Sequence, residues 1–201
     1  TYRTNDAYIV TGGDVSTPIV RSLQSRLDDR VSGRSFGLTG QTSQIATAKL
    51  QTAIDQLYLN SATKGSAQSK IVLHLEAGEY IVDGTIYIPP YATIVGAGSG
   101  KTIIRTLTAS TNIFKTVNSS STPGIPATDA STTSVNQATG IRLESLTLET
   151  TVPNKGLILQ NCKDSLFRDV EIKGPWVSGN AVATTDVGIE MNSLSGSVET
   201  K

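Results

Sequence analysis

Apolar positions change their spacing once along the chain, from helical before residue 60 to alternating after residue 70. Within residues 1–35 a short Tyr8-Ile9-Val10 run is broken at Gly12-Gly13, and Ser16-Thr17-Pro18 has the hydroxyl cap and early proline of a helix start. Ile19, Leu23, Leu27 and Val31 then recur at every fourth position, which predicts a helix with one narrow apolar stripe. So short a helix is marginal alone. The stripe therefore needs a partner, either the rest of the chain or copies of itself in an oligomer.

A second helix is predicted over 43–59, where Ile45, Ala48, Leu50, Ile54, Leu57 and Tyr58 fall on one broad face. Thr42 or Ser43 stands where an N-cap is needed, and the polar residues 60–66 end the element. Such a face must cover something apolar.

From Ile71 the period is two. Ile71, Leu73 and Leu75 alternate with Val72 and His74, and Ile86 and Ile88 with Thr85 and Tyr87; Thr93-Ile94-Val95 and Thr102-Ile103-Ile104 follow. These short strands are separated by turns at Ala77-Gly78, Asp83-Gly84, Pro89-Pro90 and Gly96-Ala97-Gly98, with no room for crossover helices. A sandwich, a barrel or a solenoid is implied.

The later residues favour the solenoid. Leu143-x-x-Leu146-x-Leu148 is echoed 24 residues on by Phe167-x-x-Val170-x-Ile172, and the polar positions stay polar, Ser145 matching Asp169 and Glu149 matching Lys173. A period of roughly 20–30 residues suits one coil of a β-solenoid. The strand Leu157-Ile158-Leu159-Gln160-Asn161-Cys162 would form another side of the same coil. Residues 118–140, rich in Ser, Thr, Pro, Ala, Asn and Gln, cannot bury a core and read as a loop insertion thrown out from one coil.

Composition agrees with this β-rich reading: 37% of the 201 residues are hydrophobic and only 17% charged. Seventeen basic residues balance seventeen acidic ones, so no overall field draws the chain to nucleic acid or to an anionic membrane. The lone Cys162 excludes an internal disulfide framework and a cysteine-built zinc site. No run approaches the roughly 18 apolar residues of a membrane span, and no signal-peptide layout opens the chain. The start without Met and the stop at Ser195–Lys201 without a closing element lead us to expect a piece of a longer protein.

The stretch from Leu75 to Gly98, with its Leu75-Glu76-Ala77-Gly78-Glu79-Tyr80 turn, resembles the first coils of the pectate-lyase-like right-handed parallel β-helix superfamily. Ser25-Arg26-Leu27-Asp28-Asp29-Arg30-Val31-Ser32 resembles the junction that links a virion-attachment region to the β-helix in phage tailspikes and tail fibres. The resemblance covers about residues 25–105 and extends through the repeat to about 192. It implies a mainly β fold in which residues 1–35 form an attachment or neck region. Residues 36–201 would then form a capping α-helix and the first coils. The chain departs from phage relatives at Gly37–Gln44, where those carry an acidic Gly-Asp-rich stretch.

Candidate chemistry is sparse. The Gly96-to-Thr102 stretch is not a phosphate-binding loop, because that motif needs glycine where Val95 stands and a helix where Thr102-Ile103-Ile104 reads as a strand. His74, the one histidine, reads as a satisfied strand residue, and Cys162 as a core thiol. Asn118-Ser119-Ser120 fits a glycosylation sequon. Glycosidases need two carboxyls roughly 5 to 10 Å apart. Asp169 and Glu171 are the weak catalytic candidates, expected on one strand face, with Asp164, Glu144 and Glu149 nearby. No cofactor and no metal is expected.

The expected function is that of a trimeric phage tailspike or tail-fibre protein. It would bind other tail or baseplate proteins through its N-terminal region and host surface polysaccharide through the β-helix, in the virion and outside the cell after release. A glycan depolymerase with catalytic residues on later coils is the alternative.

Overall fold

The computed structural model describes residues 30–59, 71–109, 111–117, 137–152, 155–174 and 188–192. These form a right-handed parallel β-helix plugged at its leading end by one α-helix. Every strand pair is parallel. The first coil comprises β2 (Val72–His74), β3 (Gly78–Val82) and β4 (Ile86–Ile88), and the second comprises β5 (Thr93–Val95), β6 (Thr102–Thr106) and β7 (Phe114–Thr116). The third holds β8 (Ala138–Thr139), β9 (Arg142–Thr150) and β10 (Leu157–Gln160); the fourth holds β11 (Cys162–Lys163), β12 (Leu166–Lys173) and β13 (Ile189–Asn192).

Stacking in register turns the alternating pattern into internal ladders. Leu73, Ile94, Leu143 and Phe167 occupy matching positions on successive coils, and so do Tyr80, Ile104, Leu148 and Ile172. A third ladder runs through Ile86, Phe114, Leu157 and Ile189. Burying each such side chain contributes about 1.5–3 kcal/mol, and the inner members are fully buried. The 24-residue echo is one coil: Phe167 pairs with Leu143, Val170 with Leu146 and Ile172 with Leu148.

Corners are made by single residues in the left-handed region. β9 bends at Ser145 (φ 55°) and β12 at Asp169 (φ 52°), and the pairing passes over both, from Glu144–Arg168 to Leu146–Val170. The two halves of β9 thus face different neighbours, β5 below the first and β6 below the second. Asn161 (φ 46°) likewise splits the strand expected over Leu157–Cys162 into β10 and β11.

The cap is helix α1, Thr47–Tyr58, which buries Leu50, Ala53, Ile54, Leu57 and Tyr58. It starts later than expected. Its N-cap is Ala46 without a side-chain bond, not Thr42 or Ser43, because the preceding residues pair with the coil: Ile45 bridges Ile81, and the Ala46 amide donates to the Ile81 carbonyl at 2.7 Å. Ile45 and Ala48 are consequently exposed instead of lying on the buried face. Tyr58 reaches past the helix end to donate to the Thr93 carbonyl at 2.5 Å and to accept from the Leu73 amide at 3.3 Å.

A further correction concerns the region 1–35. Arg30–Ser32 form strand β1, paired with Val72–His74, so Val31 extends the first ladder and does not complete a helical stripe. The coil therefore includes residues assigned to the neck. Tyr8–Val10, Ile19, Leu23 and Leu27 lie outside the described residues, as do 118–136 of the expected insertion. The end of that insertion is not loop: Ala138 is buried and Ala138–Thr139 pair with Cys162–Lys163.

Candidate functional site

The leading end of the β-helix carries an open cleft of about 450 Å³ on its outer face. Its walls come from three stacked segments: Arg30 and Ser32 of β1, His74, Leu75 and Glu76 at the end of β2, and Val95, Gly96 and Ala97 at the end of β5. The alternation that sends Leu73 and Ile94 inward sends Ser32, His74 and Val95 outward in one register row. Gly96 is dictated by packing at the corner, since a Cβ there would sit 2.3 Å from the Ser145 carbonyl oxygen and 2.9 Å from the Thr102 Cβ.

Two side-chain bonds tie the walls together. Arg30 Nε donates to His74 Nε2 at 3.1 Å, and the Ser32 hydroxyl donates to Glu76 Oε1. The first bond assigns the lone pair to Nε2 and hence a neutral ring. Desolvation lowers the His74 pKa, the Arg30 guanidinium lowers it further, and Glu76 opposes both. The second oxygen of Glu76, Oε2, is buried with no hydrogen-bond partner among the described residues. Tyr80 donates to the Glu76 carbonyl at 3.0 Å; burial first, and then the Glu76 charge, push its phenol up to about 12.

The register row continues past Val95 to Glu144 and Arg168. Glu144 is only 5% exposed because two guanidinium groups cover it, Arg142 Nε at 2.5 Å and Arg168 Nη2 at 2.8 Å. The Arg142 hydrogen bond is the main reason its carboxyl is held below the usual range. Beyond the corner, Glu171 accepts from Thr147 at 2.8 Å and Ser99 at 3.2 Å and pairs with Lys173 at 3.2 Å; the Thr147 bond leads in lowering its pKa. Glu149 pairs with Arg105, which also pairs with Glu79.

Glu144, Glu149 and Glu171 are among the acids singled out from sequence, with Asp164 and Asp169. Asp169 and Glu171 do share β12, but the left-handed corner at Asp169 interrupts the alternation that would have put them on one face. Asp169 and Asp164 are exposed. Glu144 and Glu171 are both held ionised, which suits a base or an anchor and not a general acid, whose pKa must be raised. Among the described residues no group of three or more His, Cys, Asp or Glu has a metal-binding arrangement.

The turn after Val95 spends its amides internally: Gly96 and Gly98 donate to the Glu144 and Ser145 carbonyls, Ala97 to Thr102 Oγ1 and Gly100 to Thr147 Oγ1. These four amides are therefore not free to cradle a phosphate. Cys162 is partly buried against the core and bonded to Ser165 at 3.1 Å, and burial pushes its thiol up. The sequon at Asn118 lies outside the described residues. Sequence reasoning missed the cleft because its walls are separated by 44 residues of chain. The available signal was His74-x-Glu76, two polar groups on the outward side of an alternating strand.

No helix among the described residues is long and apolar enough to cross a membrane. Residues 31–200 match the family model described as rhamnogalacturonase A/epimerase, pectate lyase-like. A solved structure from Geobacillus virus E2, described as ORF18, is similar with a TM-score of 0.56 and 17% identity, the match covering 78% of this chain and 31% of that one. No curated protein matches the chain.

Proposed function

The chain belongs to the rhamnogalacturonase A/epimerase, pectate-lyase-like family, and on that premise we propose that it is a phage tail component that binds host surface glycan along the outside of its β-helix. The observation that carries this reading is the cleft lined by Arg30, Ser32, His74, Glu76 and Val95. It combines hydrogen-bonding side chains with an aliphatic wall, the mixture that sugar hydroxyls and ring faces require. The viral source of a similar solved structure supports the phage assignment. Residues 1–29 would join the particle, and three copies would assemble about that region.

Binding of the full chain to arrays of bacterial surface polysaccharides tests the reading. At least one polysaccharide should bind, and Val95→Arg, which fills the cleft, should weaken it by about tenfold or more. No binding across a broad panel, or binding indifferent to Val95→Arg, would overturn it. Sedimentation should give a trimer; a monomer argues against the tail assignment.

The second reading is a depolymerase with its catalytic acids on coils beyond this sequence. The chain covers 31% of the viral structure it resembles, which leaves room for such coils. Release of reducing ends or unsaturated sugars by the whole protein would favour it.

A further inference from the structure

We propose that His74 and Glu76 form an acid-sensitive latch, which holds β1 against the first coil and releases it when His74 takes up a proton. The inference concerns the cleft described above; only its consequence for glycan binding rests on the proposed function.

β1 is three residues long and, among the described residues, ends its sheet and pairs only with β2. Beyond that short ladder and the half-buried Val31, its side-chain bonds to the first coil are those from Arg30 to His74 and from Ser32 to Glu76, while the Ser32 hydroxyl also accepts from the Arg34 amide on its own segment. The first bond exists only while Nε2 is an acceptor. A proton there sets one N–H against another and brings an imidazolium against a guanidinium.

A second arrangement is ready. Glu76 stands two residues along the chain from His74, and its Oε2 has no partner among the described residues. The protonated ring gains by leaving Arg30 for this carboxylate, and a carboxylate drawn to His74 loses its bond to Ser32. Both attachments then fail together. The surroundings do not buffer the change: β1 contributes Arg30 and Ser32, the second coil contributes uncharged Val95, Gly96 and Ala97, and Tyr80 bonds the Glu76 carbonyl and stays neutral. Arg34, next in line, faces Tyr80.

The direction with pH follows from the histidine. Its folded pKa lies below the ordinary 6.5, so the stability it lends β1 is complete above 6.5 and is lost as pH falls toward the folded value. Since β1 leads directly into residues 1–29, acid would loosen the link between that region and the β-helix and widen the cleft.

His74 is the only histidine, so its ring resonances in the full chain report one site. Its protonation midpoint and the exchange protection of amides 30–32, corrected for intrinsic rates, are measured from about pH 8 to about pH 5. Protection at 30–32 should fall about tenfold in step with His74 protonation, while amides 143–148 keep theirs. His74→Gln should show a flat profile, and Glu76→Gln should move the His74 midpoint to lower pH. An equal fall in His74→Gln, or full protonation of His74 with protection unchanged, overturns the latch. Neither readout uses glycan, so a silent array and a failed latch are separate results.

Discussion

Gln51 of α1 pairs with Tyr87 of β4 through both backbone groups of the tyrosine: its amide nitrogen donates to the Tyr87 carbonyl at 3.0 Å, and the Tyr87 amide donates to its Oε1 at 2.8 Å. The same nitrogen also donates to Asp55 at 2.9 Å, which fixes the side chain along the helix. A side-chain amide thereby takes the place of a neighbouring strand. The three faces of the first coil are closed by three devices: β1 over β2, Ile45 over β3 and Gln51 over β4. An edge left open would recruit another chain.

Gln51→Ala should therefore cost about 1–3 kcal/mol, since it strips two hydrogen bonds from a half-buried strand edge. It should also raise self-association. Denaturant unfolding and light scattering check the two effects, and Gln51→Glu, which keeps an acceptor for the Tyr87 amide, should recover part of the first.

Gly96 and Gly100 separate close packing from backbone conformation within one turn. At Gly96 a Cβ meets the Ser145 carbonyl oxygen at 2.3 Å, whereas at Gly100 (φ 73°) it meets nothing within 4 Å. Gly96→Ala should cost at least about 1–3 kcal/mol by forcing β5 and β9 apart. Gly100→Ala should cost about 1 kcal/mol, the price of left-handed backbone alone. Thermal unfolding of the two variants should rank them in that order.

Glu144 should shape the acid limb of stability. Its folded carboxyl lies below the ordinary value of 4.5, so its contribution is present above 4.5 and is lost as pH falls through the folded pKa. Glu144→Gln should lower stability at neutral pH by about 1–2 kcal/mol and flatten the pH dependence below 4.5. Unfolding free energies measured across the acid range test this.

Position along a ladder should set the cost of truncation. Leu143 is fully buried between Ile94 and Phe167, and Leu143→Ala should cost about 2–5 kcal/mol. Met191, paired with Leu159 on β13, is 54% exposed, and Met191→Ala should cost less than about 1 kcal/mol.

Asp169→Asn and Glu171→Gln should leave any glycan cleavage by the whole protein unchanged. Asp169 is a corner residue and Glu171 is bound to Thr147, Ser99 and Lys173. Loss of turnover in either variant, with binding retained, would instead mark it as catalytic.

The sequence by itself determined the coil. Alternation from Ile71 onward assigns Leu73, Leu75, Ile86 and Ile88 to an inner face, because successive side chains of a strand must point to opposite sides. The match of Phe167, Val170 and Ile172 to Leu143, Leu146 and Leu148 states the length of a turn, because stacked coils must repeat their inward residues in register. The apolar face of 43–59 announces a cap, although the helix starts only at Thr47 because Ile45 and Ala46 pair with the coil. What depends on distant partners was decided only by tertiary structure. Arg30–Ser32 and Ala138–Thr139 are too short to declare themselves as strands and become so because Val72–His74 and Cys162–Lys163 offer free edges. Corners at Ser145, Asn161 and Asp169 need a left-handed backbone that polar residues tolerate but do not require. The cleft belongs to the same class: Ser32 and Glu76, far apart along the chain, meet only when one coil is laid upon the next.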